Sequence, residues 1–196
     1  MKNYKKYIAE VLLIVFSVLF ALFISKVSED AKTEKTKANA LAQIQSELSD
    51  NQRILGDWMK AHKSIVENLK VLIEQDKDSI ARIVEQNGYV PMTIILDKQS
   101  LIEEPLSKSA WDSAQSIGIL SEFDFETLQS ISQCYELQDY IMKTSIDRIV
   151  EQYFEKSTNI NATKNFLIGL KLRFENLQGQ EFTLKRIYRE TLKRLE

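Results

Sequence analysis

The stretch LAQIQSELSDNQRILGDWMKAHKSIVENLKVL, residues 41–72, repeats apolar residues at alternating steps of three and four. Such steps place residues on one face of an α-helix, and their alternation is the seven-residue repeat of helices that pack side by side. The positions on this face are Leu41, Ile44, Leu48, Asn51, Leu55, Trp58, His62, Ile65, Leu69 and Leu72. The stretch therefore predicts a long helix with one face buried against other helices.

Few residues in this chain interrupt a helix. The 196 residues include five glycines and two prolines, and neither type occurs before Gly56. We therefore expect the helix to extend in both directions. Upstream, residues 28–45 are mostly polar or charged and predict a solvated stalk. Downstream, Asn87 and Gly88 are suited to a left-handed cap and predict the end of the helix near Gln86.

The same helix begins in a strongly apolar segment, KKYIAEVLLIVFSVLFALFISKVSED, residues 5–30. Residues 11–25 carry no charge, and with residues 7–9 the segment is nearly as long as a hydrocarbon layer of about 30 Å is thick. A cleaved signal peptide requires small residues before its cleavage site, and none is well placed. A buried core helix does not suit the flanking lysines and tyrosines. We predict a basic tail over residues 1–6 and a transmembrane helix over 7–27.

Lysines flank the span on both sides, so the number of lysines on each side does not determine its orientation in the membrane. A short basic N-terminus before an uncleaved anchor commonly stays in the cytoplasm. We therefore expect a single-pass protein of the inner (plasma) membrane, with the N-terminus cytoplasmic and the C-terminal domain extracytoplasmic.

Further helices follow a loop at residues 89–106, which holds both prolines and, at residues 93–95, one candidate extended piece. Ser109 and Asp112 resemble a capping box, and Gly118 predicts the end of that short helix. A third helix is predicted from Ser121 or Asp124 to about Lys156. It carries one apolar stripe: Leu128, Ile131, Tyr135, Met142, Ile149 and Tyr153.

The last helix repeats the three-and-four spacing from Leu167 to Leu195, and its phase continues through Gly179. The fold class is therefore all-α. The transmembrane helix continues into a stalk and then packs, over residues 46–196, with two further long helices and one short helix as an antiparallel bundle. We expect the loop and the short helix to cap the end of the bundle that is far from the membrane.

Composition argues against several kinds of chemistry. A single histidine and a single cysteine make a catalytic triad or a thiolate zinc site improbable, and the 26 basic and 28 acidic residues do not suggest nucleic-acid binding. No catalytic, cofactor-binding or metal-binding residue is predicted. The carboxylate pairs Asp76–Asp78 and Glu103–Glu104 and the sequon at residues 161–163 receive no role. Cys134 is either a buried apolar residue or the site of an intermolecular disulfide.

Four residues are candidates for interactions: Glu10, Trp58, His62 and Trp111. Glu10 lies four residues after Lys6 near the polar end of the span, so it either faces the lipid headgroups or contacts a partner span. His62 is either a polar residue that sets helix register or a ligand or pH-sensing group. The two tryptophans are either core residues or parts of a binding surface.

The segment AEVLLIVFSVLFAL, residues 9–22, together with SAWDSAQSIGIL at 109–120 and YELQDY at 135–140, resembles a family of uncharacterised bacterial single-span membrane proteins. Glu10, Trp111, Gly118 and Leu120 match that pattern. The segment ISKVSEDAKTEK, residues 24–35, departs from it. The resemblance implies a membrane anchor with a helical extramembrane domain and supplies no catalytic residues.

We therefore predict a membrane-anchored helical interaction or scaffold protein that contacts the lipid bilayer and either a protein partner or a second copy of itself through its helices. The alternative is an extracytoplasmic sensor or binding module for a small molecule, which acts through a partner. We expect the protein not to be an enzyme and to need no cofactor.

Overall fold

The computed structural model describes residues 3–75, 82, 84–159 and 162–195. The structure is 87% helical, and no strand occurs among the described residues. A long N-terminal helix packs against the other helices, which confirms the predicted all-α bundle. Asp76, Asp78 and Asn161 lie outside the described residues.

Helix α1 spans Asn3–Glu74, 72 residues, and is about 108 Å long at the standard rise. Residues 7–30 are exposed throughout, and the first fully buried residue is Ile44. Residues 7–74 thus form one continuous helix, as predicted, but this helix ends at Glu74 and not near Gln86. Beyond Glu74, residues 84–87 are helical and Gly88 has a φ of +76°, the left-handed conformation expected there.

Helix α1 presents its heptad face to the last helix and to the segment that follows it in the chain. Ile44, Leu48, Leu55, Trp58, Ile65 and Leu69 are all buried. Two polar residues on the same face, Asn51 and His62, are fully buried as well. The face therefore combines a hydrophobic core with a few polar positions that need partners.

Residues 90–122 do not cap the far end of the bundle, contrary to our expectation. They descend along α1 towards the stalk. Asn68 of α1 bonds to the carbonyls of Ile94 and Ile95, and Asn51 bonds to that of Ser107. The predicted extended piece is also wrong, because Met92–Leu96 form a short helix, α2. Helix α3, Ser109–Ser116, and a 3₁₀ turn, Ile119–Glu122, complete the descent.

The third long element begins where it was predicted. Asp124 caps helix α4, Phe125–Tyr140, by accepting a hydrogen bond from the backbone N–H of Thr127 at 2.9 Å. A π-helical turn, Ile141–Ile146, joins α4 to α5, Asp147–Lys156. The wider turn changes the helical phase, so that Ile141 and Ile146 are buried while Met142, predicted on the stripe, is only half-buried.

Helix α6, Thr163–Leu195, packs along both α1 and α4 and closes the bundle. Its buried residues repeat at helical spacing through Gly179, as predicted: Phe166, Leu167, Leu170, Phe174, Leu177, Glu181, Leu184, Tyr188 and Thr191. The order is up-down-up-down, in which residues 90–122 take the place of a second long helix.

Candidate functional site

Polar side chains of α1 hold the strap, which we define as residues 97–108. The ring nitrogen Nε2 of His62 lies 2.8 Å from the carbonyl of Leu101, and the indole N–H of Trp58 donates to the carbonyl of Glu104 at 3.0 Å. The strap has no regular secondary structure, so its backbone N–H and C=O groups depend on side chains such as these for hydrogen bonds. We call these polar side chains of α1 the polar column. Their hydrogen bonds explain why a segment without regular secondary structure can lie against the bundle.

The lower end of the column is Glu47, which is buried beneath the start of α3. Its Oε2 accepts hydrogen bonds from the hydroxyls of Ser107 and Ser109 and from the backbone N–H of Ala110, at 2.6, 2.9 and 3.0 Å. Its Oε1 accepts from the hydroxyl of Tyr135 at 2.7 Å. Burial opposes ionisation of this carboxyl, but these four hydrogen bonds hold its pKa below its usual value.

Glu47 therefore caps α3 from another helix. Lys108 occupies the N-cap position and makes no capping bond with its side chain, while Ser109 is already the first helical residue. The predicted capping box of Ser109 and Asp112 is wrong, because a carboxylate 63 positions earlier in the chain satisfies the first N–H groups. The predicted end of the helix is correct, since Gly118 has a φ of +73°.

Asn51, one turn above Glu47, joins three elements. Its amide accepts from the backbone N–H of Ser107 at 2.8 Å and donates to the carbonyl of the same residue at 2.6 Å. Its Nδ2 also lies 3.3 Å from Oε1 of Gln138, which accepts from the hydroxyl of Tyr188 at 2.7 Å. Burial raises the pKa of Tyr188, so its hydroxyl remains a donor. The network fixes the register of α1, α4 and α6.

His62 and Glu181 form a second buried centre, between α1 and α6. Both side chains are fully buried, and Nδ1 of His62 lies 2.5 Å from Oε1 of Glu181. The rings of Trp58 and Phe174 flank the imidazole, with centroids at 6.2 and 5.7 Å. Oε2 of Glu181 has no hydrogen-bond partner. An acid and a base thus meet in an apolar environment.

The four predicted interaction residues do not form one site. Trp58 and His62 lie together in the core. Trp111 is half-buried on α3 and stacks on Tyr135 with the ring centroids 5.2 Å apart. Glu10 is exposed in the apolar segment of α1, and it precedes Trp58 by 48 residues, about 72 Å along the helix.

Glu47 and Glu181 are the important polar residues that our sequence reasoning did not select. Glu181 had a visible signal, because it is a carboxylate on the apolar face of α6, as His62 is a base on that of α1. Glu47 lies next to the heptad positions of α1 and not at one of them, so the sequence pattern did not indicate that this carboxylate is buried.

The exposed side of α1 carries a second feature, which we call the outward seam. Residues 17, 21, 24, 28, 31, 35, 38, 42, 45 and 49 alternate steps of four and three, about 100° around the helix from the core face. Seven of these ten positions are exposed small residues: Ser17, Ala21, Ser28, Ala31, Ala38, Ala42 and Ser49. Small side chains allow two helix backbones to approach closely.

The upper end of the outward seam enters a groove between α1 and α6, about 720 Å³ in volume. Ala42 and Ser49 line one wall, and Arg189, Leu192 and Lys193 line the other. This groove is open and lies at the stalk end of the bundle. It could accommodate a helix that continues along the seam.

No group of three or more His, Cys, Asp or Glu side chains suited to a metal ion occurs within the described ranges. Helix α1 includes one window, near its N-terminus, that is long and apolar enough to cross a membrane, and none of that window is buried. Comparisons with protein-family models, with curated proteins and with solved structures find no match to this chain.

Proposed function

We propose that this protein is a membrane-anchored interaction or scaffold protein without catalytic activity, and that it works as a parallel dimer joined through the outward seam of α1. The observation that carries this proposal is the seam itself, which follows one exposed face of α1 from the apolar segment to the groove beside α6.

The apolar segment supports the membrane anchor. Its large side chains are exposed, for example Leu13 at 69% and Phe16 at 68%, whereas the core helix of a soluble protein buries such residues. Lipid would cover this surface. We further propose that the anchor lies in the inner membrane of a bacterium, with the N-terminus cytoplasmic and the bundle outside, as the basic tail and the family resemblance imply.

The seam suits a second copy of the same helix. In lipid, helices associate through close packing of small residues, and Ser17 and Ala21 are spaced for it. Outside the lipid, Ser28, Ala31 and Ala38 continue the same alternation, which keeps two supercoiled helices in contact. Two copies anchored in one membrane have parallel α1 helices, so identical positions meet at the same height.

The charged residues at the groove also support a second copy of this chain as the partner. Asp50 of α1 lines the groove, as do Arg189 and Lys193 of α6. In a parallel dimer in register, Asp50 of each copy lies at the height of the two basic residues of the other. Opposite charges at this position favour the second copy over a partner without acidic residues there.

Disulfide crosslinking in native membranes tests the dimer. Ala31→Cys places a thiol on the seam, while Glu29→Cys, two residues earlier, places one about 200° around the helix. Copper phenanthroline is expected to link the Ala31→Cys chains into dimers and to leave Glu29→Cys monomeric. The unmodified chain measures any contribution from buried Cys134. Equal crosslinking of both variants, or none in either, would reject the seam.

Alkaline carbonate extraction tests the anchor separately. We expect the full chain to remain with the membrane pellet, and release of the intact polypeptide would contradict the anchor. Protease added to sealed spheroplasts is expected to digest the bundle if it is extracytoplasmic. Protection of the bundle in sealed spheroplasts, with digestion after lysis, would reverse the proposed orientation.

The sensor or binding module remains the alternative proposal. The cleft that includes Trp58 has a volume of about 210 Å³ and is bounded by three carboxylates and one cation: Asp57, Glu103, Glu104 and Arg53. A small cationic ligand would suit its charge. Thermal stabilisation of the protein by such a compound, together with a monomeric result in the crosslinking experiment, would favour this alternative.

A further inference from the structure

The contacts of His62 determine how many protons it shares with Glu181. The carbonyl of Leu101 can only accept a hydrogen bond, so Nε2 of His62 must carry a hydrogen. At the other side of the ring, Nδ1 lies 2.5 Å from a carboxyl oxygen. That distance requires one hydrogen between the two atoms, whether it belongs to the imidazole or to the carboxyl.

The pair is therefore neutral overall, as an imidazolium with a carboxylate or as an imidazole with a carboxylic acid. Loss of the shared proton would leave a lone pair facing a carboxylate in a fully buried site. Gain of a second proton would leave an uncompensated buried cation. Both changes are costly in an apolar interior. Oε2 of Glu181 has no partner that could relieve either one.

Glu47, a buried carboxyl group of α1, lies 15 residues and about 22 Å from His62 along the helix. Most other charged groups on the surrounding elements are exposed to solvent and are screened from the pair. Lys63 and Glu67 of α1 pair with each other, as do Arg53 and Glu104. Other exposed charges on these elements are Asp57 and Lys60 on α1, Glu103 on the strap, Lys185 on α6, Lys143 on the π-helical turn and Asp147 on α5.

We propose that His62 and Glu181 hold one shared proton in the folded protein and so make the extramembrane bundle a proton-coupled structure, which weakens as its surroundings become alkaline. The pair joins α1 to α6 and, through Leu101, to the strap. Loss of the proton therefore loosens the contact between the anchored helix and the rest of the bundle. The inference does not depend on the dimer.

The direction of the effect follows from counting protons. In an unfolded chain, histidine releases its proton at about pH 6.5 and glutamic acid at about pH 4.3. Between these values the folded and unfolded pairs each hold one proton, so the pair contributes no pH dependence. Above about pH 6.5 the folded pair holds one more than the unfolded pair. The unfolding equilibrium constant then rises about tenfold per pH unit.

Glu181→Gln provides a direct test. Its amide can donate to Nδ1, so His62 stays neutral and the folded pair holds no titrating proton. We expect the unfolding constant of the natural chain, divided by that of Glu181→Gln, to rise about 100-fold from pH 5.5 to 7.5. Urea titration of each full-length chain in nonionic detergent measures its unfolding constant at each pH. Glu190→Gln, an exposed change on the same helix, should give a ratio that is constant within threefold.

A second readout does not depend on the variant. His62 is the single histidine of the chain, so ¹⁵N-histidine labelling gives one pair of ring signals. We expect the chemical shifts of both ring nitrogens to stay constant from pH 5.5 to 7.5, because Nε2 keeps its hydrogen bond to Leu101 and Nδ1 keeps the shared one. A free titration near pH 6.5, or a ratio for Glu181→Gln that stays within threefold over this range, would overturn the proposal.

Discussion

Glu47 is the most informative residue to change, because one carboxylate receives four hydrogen bonds from three parts of the fold. In Glu47→Ala, the hydroxyls of Ser107 and Ser109 can turn to water, since both residues are exposed. The hydroxyl of Tyr135, a residue only 4% exposed, cannot. The N–H of Ala110 also loses its acceptor at the start of α3.

The magnitude follows from these two losses. A buried hydroxyl left without a partner costs about 1–3 kcal/mol, and a lost helix cap costs about 1 kcal/mol. Alanine regains a few tenths of a kcal/mol through its helix propensity. We therefore expect the free energy of unfolding to fall by roughly 3 kcal/mol. For a domain of this size, that is a decrease in Tm of about 6–12 °C.

Urea unfolding in detergent, followed by tryptophan fluorescence, measures this change, and Trp111 stacked on Tyr135 is a local reporter. The control is Glu67→Ala, an exposed carboxylate on α1, which should change the free energy of unfolding by less than about 0.5 kcal/mol. If Glu47→Ala were no more destabilising than this control, the assignment of Glu47 as the cap of α3 would be wrong.

Acid provides an independent check on Glu47. Its pKa in the folded protein lies below the usual value of 4.5, so the unfolded chain binds its proton first as the pH falls. The stabilisation from Glu47 is therefore complete above about pH 5 and declines as the pH falls through the folded pKa. The difference in stability between the natural chain and Glu47→Gln should shrink below pH 4.5. A difference that grew on acidification would contradict this reasoning.

Other substitutions give sharp expectations. Burial raises the pKa of the Cys134 thiol to about 11, so iodoacetamide at pH 8 should modify it, by mass spectrometry, only after unfolding. In Gly169→Ala, the new Cβ would clash with the side-chain amide of Gln152, which would have to move, so we expect this variant to be less stable in the urea assay than Gly179→Ala. Gly179→Ala on the same helix meets nothing within 4 Å and should stabilise the protein by about 1 kcal/mol. Equal effects of the two glycine substitutions would contradict the packing of Gln152 against α6.

The regular parts of the fold could be predicted from local patterns. The spacing of Leu167, Leu170, Phe174 and Leu177 repeats with the turns of a helix, so neighbours along the chain are enough to identify the buried face of α6. Asp124 and Gly118 mark helix ends through short-range geometry. These predictions were correct because their causes lie within a few residues.

The path of the strap could not be obtained in this way. Its position depends on Asn51, Trp58 and His62, whose partners lie 39 to 56 residues further along the chain. Local rules suggested a capping box at Ser109 and an extended piece at residues 93–95, and both were wrong. Tertiary packing placed Glu47 at the start of α3 and outweighed the local preference.

The amino-acid order alone therefore established the helical class, the continuous helix α1 and which face of each long helix is buried. Packing established which polar residues meet, above all His62 with Glu181 across 119 positions. An α-helix is built from hydrogen bonds between residues four apart and has 3.6 residues per turn, so every part of the chain carries its periodicity locally. A buried acid and base meet only after whole helices have come together, so their pairing has no local signal.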